Sequence, residues 1–326
     1  MTATALLAAG ALSLMLHGGV AKVSIEKVAY GGWPNCYRMS NDQIELIATT
    51  DVGPRIIRFG FVGGRNEFKE YADQMGKQGE EEWMIRGGHR LWHSPERKPR
   101  SYGLDNSPID AKVDGERLIL TQPVEPDTHI RKQIIIEMAS DQPAVRVIHR
   151  LRNEGQWPIQ LAAWCLTVMA QGGTCIIPFP RHDDPKGLLP NRALALWPYT
   201  DPTDPRVHIG RHYLMLRQDP NAAGPCKFGV ARVTDEWMAY LNDDVLFVKR
   251  FDWLPGAEYP DYGSCVETYT NPDMLEVETV GPLEVLDTGD ELEHVERWYL
   301  LRVPEPVRTE DDVDRLIRPL VETETR

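Results

Sequence analysis

Apolar and polar positions alternate along most of the chain. Ile44, Leu46 and Ala48 interleave with Glu45, Ile47 and Thr49, and Val145, Val147, His149 and Leu151 with Arg146, Ile148, Arg150 and Arg152. Leu275, Val277 and Thr279 interleave with Glu276, Glu278 and Val280. A period of two puts one set of side chains on each face of an extended strand. Further strand-like runs lie at 52–62, 117–122, 132–138, 157–170, 227–233, 244–251 and 294–303, with turn signals such as Gly63-Gly64, Asp114-Gly115, Asn153-Glu154-Gly155 and Gly172-Gly173 between them. The 26 glycines and 25 prolines leave little room for long helices. One helix is expected, at the C-terminus. Thr309 caps it, Glu310, Asp311 and Asp312 suit its positive first turn, and Val313, Leu316, Ile317, Leu320 and Val321 form its apolar stripe.

So many strands without alternating helices predict an all-β sandwich of large sheets, one domain over residues 22–307, with the helix of 308–326 packed outside. Several strands, Glu291 to Arg297 among them, carry polar residues on both faces, which predicts that one of the sheets has a wet, concave face. Residues 3–16 are apolar but too short to span a bilayer comfortably, so no membrane span is expected. They resemble a signal-peptide core followed by small residues at Gly19-Val20-Ala21, yet no Lys or Arg precedes them. Residues 1–21 are therefore either a signal peptide, implying a periplasmic or secreted protein, or a mis-assigned start ahead of Met15, implying a cytoplasmic one.

Charge and cysteine count narrow the function. Against 36 basic side chains stand 49 acidic ones, a net charge of −13, and a surface that negative repels nucleic acid. The five cysteines include no C-x-x-C pair, so neither a disulfide framework nor a zinc site is expected. Phosphate cradles of the P-loop and dinucleotide types are absent, and no cofactor is implied.

Two segments concentrate chemistry. Met84–Glu96 gathers Arg86, His89, Arg90, Trp92, His93 and Glu96 around the Gly87-Gly88 pair. An arginine forks onto adjacent hydroxyls, and an aromatic ring offers the flat wall on which the C–H face of a pyranose stacks. His89, His93 and Glu96 also spell a metal-like spacing, but the glycines and Pro95 oppose the helix that it needs, and no metal is expected. In Asp261–Leu283, Cys265, Glu267 and Tyr269 share a strand face, which makes Glu267 a candidate general base at a strand end. Glu276 and Glu278 are weaker candidates, expected to face solvent or a basic neighbour, and His149 is expected to be a hydrogen-bonded core histidine.

The same segments carry a family resemblance. Ile85-Arg86-Gly87-Gly88 followed by Trp92 looks like a segment of the hexose-6-phosphate mutarotases, and Gly263–Asp273 (GSCVETYTNPD) is similar to one of the galactose mutarotases, the aldose 1-epimerases. GPRI (Gly53–Ile56) and GGRNEF (Gly63–Phe68) resemble early strands of that superfamily. The resemblance spans roughly residues 25–303 and implies a β-supersandwich that binds a sugar on a concave sheet. It gives Glu267 the role of the base that takes the anomeric proton, and Arg86 that of a substrate contact; Arg55, Trp92, Glu96, Tyr102 and Trp164 are further candidate sugar contacts. The chain departs from the pattern at the histidines. Tyr102-Gly103 stands where the hexose-phosphate enzymes have His-Gly, and Trp164 stands where a second histidine falls. His89 and His93 are the candidates to replace them as proton donors.

The expected function is a carbohydrate-binding, mutarotase-like protein, an aldose 1-epimerase if an acid is present, with a free sugar or oligosaccharide as partner. The alternatives are a non-catalytic sugar-binding module or scaffold, and a polysaccharide lyase or hydrolase on a related fold. Neither the sugar nor the oligomeric state is specified by the sequence. The sharpest expectation is geometric: Arg86, His89, Trp92, His93 and Glu267 should line one pocket, with Glu267 roughly 6–10 Å from Arg86 or a histidine.

Overall fold

A computed structural model describes residues 22–181 and 186–325; the expectations for residues 1–21 lie outside them. Two antiparallel sheets, of eleven and ten strands, stack face to face. The centre of the first sheet runs Arg55–Phe61, Gly88–Ser94, Ile159–Met169, Leu275–Val280, Ser264–Thr270, Cys226–Ala231. The centre of the second runs Thr174–Pro178, Trp237–Asn242, Val245–Arg250, Glu291–Arg302, Ala144–Asn153, Ile130–Met138. The architecture is the all-β sandwich that the period-two pattern predicts.

The core fills the space between the sheets. Phe59 and Phe68 from one side pack edge-on against Phe247 and Trp298 from the other, with ring centroids 5.6–5.9 Å apart. The C-terminal helix covers the outer face of the second sheet. Thr309 accepts from the Asp312 backbone and Asp312 answers in a capping box, while Val313, Ile317 and Val321 bury themselves against Tyr213, Trp237, Ala239 and Val248.

Within Met84–Glu96, Gly88–Ser94 is a fully buried strand between Arg55–Phe61 and Ile159–Met169. Gly87 and Gly88 make its entry, both at positive φ, where a Cβ would overlap the Lys69 and Ile56 carbonyls. Glu291–Arg302 is polar on both faces, with Glu291, Glu293 and Arg297 on the side that meets solvent. Its Leu292, His294, Glu296 and Trp298 turn into the space between the sheets, where Lys249 and hydrogen-bond partners satisfy the polar members.

Candidate functional site

Strand register decides which side chains meet. Trp92 pairs with Trp164, Arg90 with Leu166, Leu166 with Glu278, Glu278 with Glu267, and Glu267 with Gly229, with Lys227 next on that face. Alternation therefore assembles Arg90, Trp92, Trp164, Glu276, Glu278, Glu267, Tyr269 and Lys227 on the face of the first sheet that points away from the second. Over it lies a groove of about 520 Å3. Its walls include Trp83, Trp92, Trp164, Trp197, Tyr102, Tyr199 and Tyr269, and its polar groups include Arg90, Glu96, Lys227, Asn271 and Glu276. This is a size and composition suited to a small ligand with apolar faces and polar edges.

The charged groups are held in a fixed lattice. Arg90 stacks on Trp83 and Trp92, 5.2 and 4.7 Å from their centroids, and donates to Glu276 at 2.9 Å. Lys227 sits 4.6 Å from the Trp164 ring and 4.5 Å from that of Trp197. Its Nζ contacts Glu267 at 2.7 Å and Glu278 at 3.5 Å, and Trp164 Nε1 donates to Glu278 Oε2 at 2.7 Å. Both carboxyls are fully enclosed. Burial raises their pKa values; Lys227 opposes the rise in each without cancelling it. Burial alone would lower the Lys227 ammonium, but Glu267 and Glu278 outweigh it and push it up. Glu96 accepts from the Tyr102 hydroxyl at the rim.

Of the sequence candidates, Trp92, Glu96, Tyr102 and Trp164 line this groove, and Glu267 lies at its floor beside Lys227. Four do not reach it. Arg86 is fully enclosed, with its guanidinium on the Gln74 and Lys77 carbonyls, Glu80 and Asn106. Arg55 is likewise buried and holds the Ile85 and Gly87 carbonyls and Asp105. Both arginines brace the loop that leads into Gly88–Ser94. His89 and His93 fall on the other face of that strand, because they alternate with Arg90 and Trp92. The expected pocket shared by Arg86, both histidines, Trp92 and Glu267 is therefore not formed.

His89 joins a buried chain between the sheets. His149 Nδ1 faces the His294 carbonyl at 3.0 Å and must donate to it, which leaves His149 Nε2 to accept from His89 Nε2 at 2.7 Å, while Thr167 donates to His89 Nδ1 at 2.8 Å. Lys249 donates to Glu296 and to the Cys165 and Val277 carbonyls, and Thr279 donates to the same carboxylate. Burial lowers the pKa of His89, His149 and His294, so all three are neutral. Glu296 is lowered too: burial alone would raise it, but Lys249, His149 and His294 together outweigh that. His149 is thus the hydrogen-bonded core histidine that the sequence suggests. His89, His149 and Glu296 converge closely enough to hold a metal, as do Cys165, His294 and Glu296. The network nevertheless closes at zero net charge, so a divalent ion would add uncompensated charge to the core. Glu96, the third residue of the metal-like spacing, is far from this chain on the groove rim. His93 lies elsewhere, 3.8 Å from Glu125, which pairs with Lys132.

Trp83, Trp197, Tyr199, Lys227, Asn271 and Glu276 line the groove although sequence reasoning passed over them or ranked them low, and the low-ranked Glu278 lies beside Lys227. Glu278 does not face solvent; it meets the basic neighbour Lys227.

The sequence matches no known family profile and no curated protein. Solved structures share the fold. A galactose mutarotase-like protein from Lactobacillus casei superposes with a TM-score of 0.55 at 8% identity, covering 82% of this chain and 100% of that one. A candidate aldose 1-epimerase from Klebsiella pneumoniae gives 0.56 at 11% identity, covering 93% and 88%. A TPR-domain containing protein from Parabacteroides distasonis gives 0.56 at 13% identity, and there the match spans 85% of this chain but 50% of that one. The fold is the galactose mutarotase-like β-sandwich.

Proposed function

We propose that this protein binds a free aldose in the aromatic groove and that Glu267 is the base for its anomeric interconversion. The observation that carries the reading is the meeting of two features at Lys227: a groove walled by tryptophan and tyrosine rings, and a pair of buried carboxyls at its floor. Rings stack on the C–H faces of a pyranose, while Arg90, Asn271 and Glu276 offer directional partners for its hydroxyls. A carboxylate at the end of such a groove takes the proton of the C1 hydroxyl as the ring opens. The fold shared with mutarotase-like proteins and the resemblance of Gly263–Asp273 support the same role for Glu267.

One observation favours a second reading, that of a non-catalytic sugar-binding module. Lys227 covers Glu267, and the histidines near the groove strands face inward. Polarimetry on freshly dissolved glucose and galactose separates the two readings. Acceleration that disappears in Glu267→Gln supports the epimerase. Sugar binding with no acceleration supports the module, and no binding by either sugar removes both.

A further inference from the structure

Proton transfer at an anomeric centre needs a donor for the ring oxygen as well as a base for the hydroxyl, and among the described residues no histidine lines the groove. His89 and His149 are spent on each other and on Thr167 and a backbone carbonyl, His294 is bonded to Thr279, and His93 lies by Glu125. Resting on the reading above, we infer that Glu278 is that donor and forms with Glu267 an acid–base pair under Lys227.

The argument begins with charge. Two enclosed carboxyls face one ammonium, while the next acid along the strand, Glu276, is already paired with Arg90. With both carboxyls ionised, the cluster would hold an unbalanced negative charge out of water. One carboxyl therefore keeps a proton. Lys227 stands 2.7 Å from Glu267 and 3.5 Å from Glu278, so Glu267 is the ionised member. Trp164 donates to Glu278 Oε2, which leaves Oε1 to carry the proton, and that oxygen has no other partner in the structure. Glu267 Oε1 is likewise buried without a partner, while its Oε2 lies 2.7 Å from the Lys227 ammonium. Buried acceptors left this way are free to engage a ligand.

Position fits the chemistry. Glu267 and Glu278 are direct cross-strand partners, and such side chains start about 5 Å apart. The hydroxyl oxygen and the ring oxygen of an aldose are both bonded to C1, so the base and the acid must stand side by side. Lys227 is the member of the cluster that lines the groove, and the proposed transfer requires its ammonium to swing off the carboxyls when the anomeric end of the sugar arrives. Glu267 then takes the proton from the C1 hydroxyl while Glu278 gives its proton to the ring oxygen. The C1–O5 bond breaks, and its electron pair becomes the lone pair of the new C5 hydroxyl. The carbonyl forms at C1. Rotation about C1–C2 and closure on the other carbonyl face run the transfers backwards, and both carboxyls return to their starting forms with no net proton exchanged.

The test measures anomer exchange of glucose and galactose by NMR, with sugar affinity followed separately, for the wild type, Glu278→Gln, Glu278→Asp and Glu267→Gln. The inference predicts that Glu278→Gln keeps affinity within about threefold and loses a hundred- to ten-thousandfold in rate. Glu278→Asp, which keeps a carboxyl, should recover part of the rate, and the limb of the pH profile on which the rate falls as pH rises, which belongs to the donor, should vanish in Glu278→Gln. Combining both glutamine changes should cost little more than either alone, as for groups that act as a unit. A folded Glu278→Gln protein with a rate within twofold of the wild type, beside an inactive Glu267→Gln, overturns the donor role and leaves the epimerase reading intact. Binding without acceleration in the wild type overturns the donor role and leaves the binding module, and absence of binding overturns all of it.

Discussion

Glu267 and Glu278 stand directly opposite each other on adjacent antiparallel strands, and a single ammonium, Lys227, serves both. Like charges in that position repel across the ladder. The arrangement is costly to folding, and it organises the groove floor.

The cost should be measurable in Glu278→Gln. Folding raises the pKa of the Glu278 carboxyl above its ordinary 4.5. Its contribution to stability is therefore present in acid and lost as pH rises through the folded value. A glutamine keeps an acceptor for Trp164 and leaves Lys227 paired one-to-one with Glu267. Thermal melts should show the variant more stable than the wild type by about 1–2 kcal/mol at pH 8 and no more stable at pH 5. Equal melting temperatures at both pH values would mean that the carboxyl carries no such penalty.

Removing the ammonium should do the reverse. Lys227→Met leaves two enclosed carboxyls with no cation, a change expected to cost about 3–5 kcal/mol at neutral pH. Both carboxyls then fill with protons as pH falls, so the deficit should shrink toward pH 5. A deficit that is the same at pH 5 and pH 8 would point to lost packing between Trp164 and Trp197 instead.

The histidine chain behind the groove gives the protein an acid-sensitive core. Burial pushes His149 down to about 4 from an ordinary 6.5, and His89 and His294 are lowered with it. Their stabilising contribution is complete above the unfolded value and drains away as pH falls toward the folded one. For His149 alone the window is worth on the order of 3 kcal/mol. Calorimetric unfolding near pH 5.5 in buffers of different ionisation enthalpy should show net proton uptake. Net release there would contradict neutral histidines in the core.

Arg86 separates a bracing role from a sugar contact. Arg86→Lys loses the fork that holds Gln74, Lys77, Glu80 and Asn106, and should destabilise the fold by about 2–4 kcal/mol while leaving sugar affinity unchanged. A loss of affinity without a loss of stability would return Arg86 to the groove.

The period of two made the sheets legible from the sequence, and the Thr309 cap with its Val313, Ile317 and Val321 stripe marked the C-terminal helix. Faces were harder. Trp92 and His93 are neighbours, and in a strand neighbours cannot share a face, so the sequence already forbade both from lining one groove once Gly88–Ser94 was recognised as a strand. Which of the two turned outward depended on pairing with Ile159–Met169, a contact about 70 residues away in the chain. Lys227 gave no local signal. It opens an ordinary apolar run, and its role comes entirely from register with Tyr269 and, one strand further, Glu276. Glu267 stood out by its segment, whereas Glu278 became its partner only through the ladder.

The central claim is that a sugar occupies this groove, and the indole N–H resonances test it most directly. The chain has nine tryptophans. Trp83, Trp92, Trp164 and Trp197 wall the groove, Trp33, Trp237 and Trp298 are buried elsewhere, Trp253 packs half-buried against the core, and Trp157 is exposed on the surface. Titration with glucose or galactose should shift the four groove indoles, Trp164 most of all because its N–H is bonded to Glu278, and leave Trp33, Trp237, Trp298 and Trp157 in place. Saturating concentrations of both sugars that move none of the four, or that move only Trp157, would contradict the account.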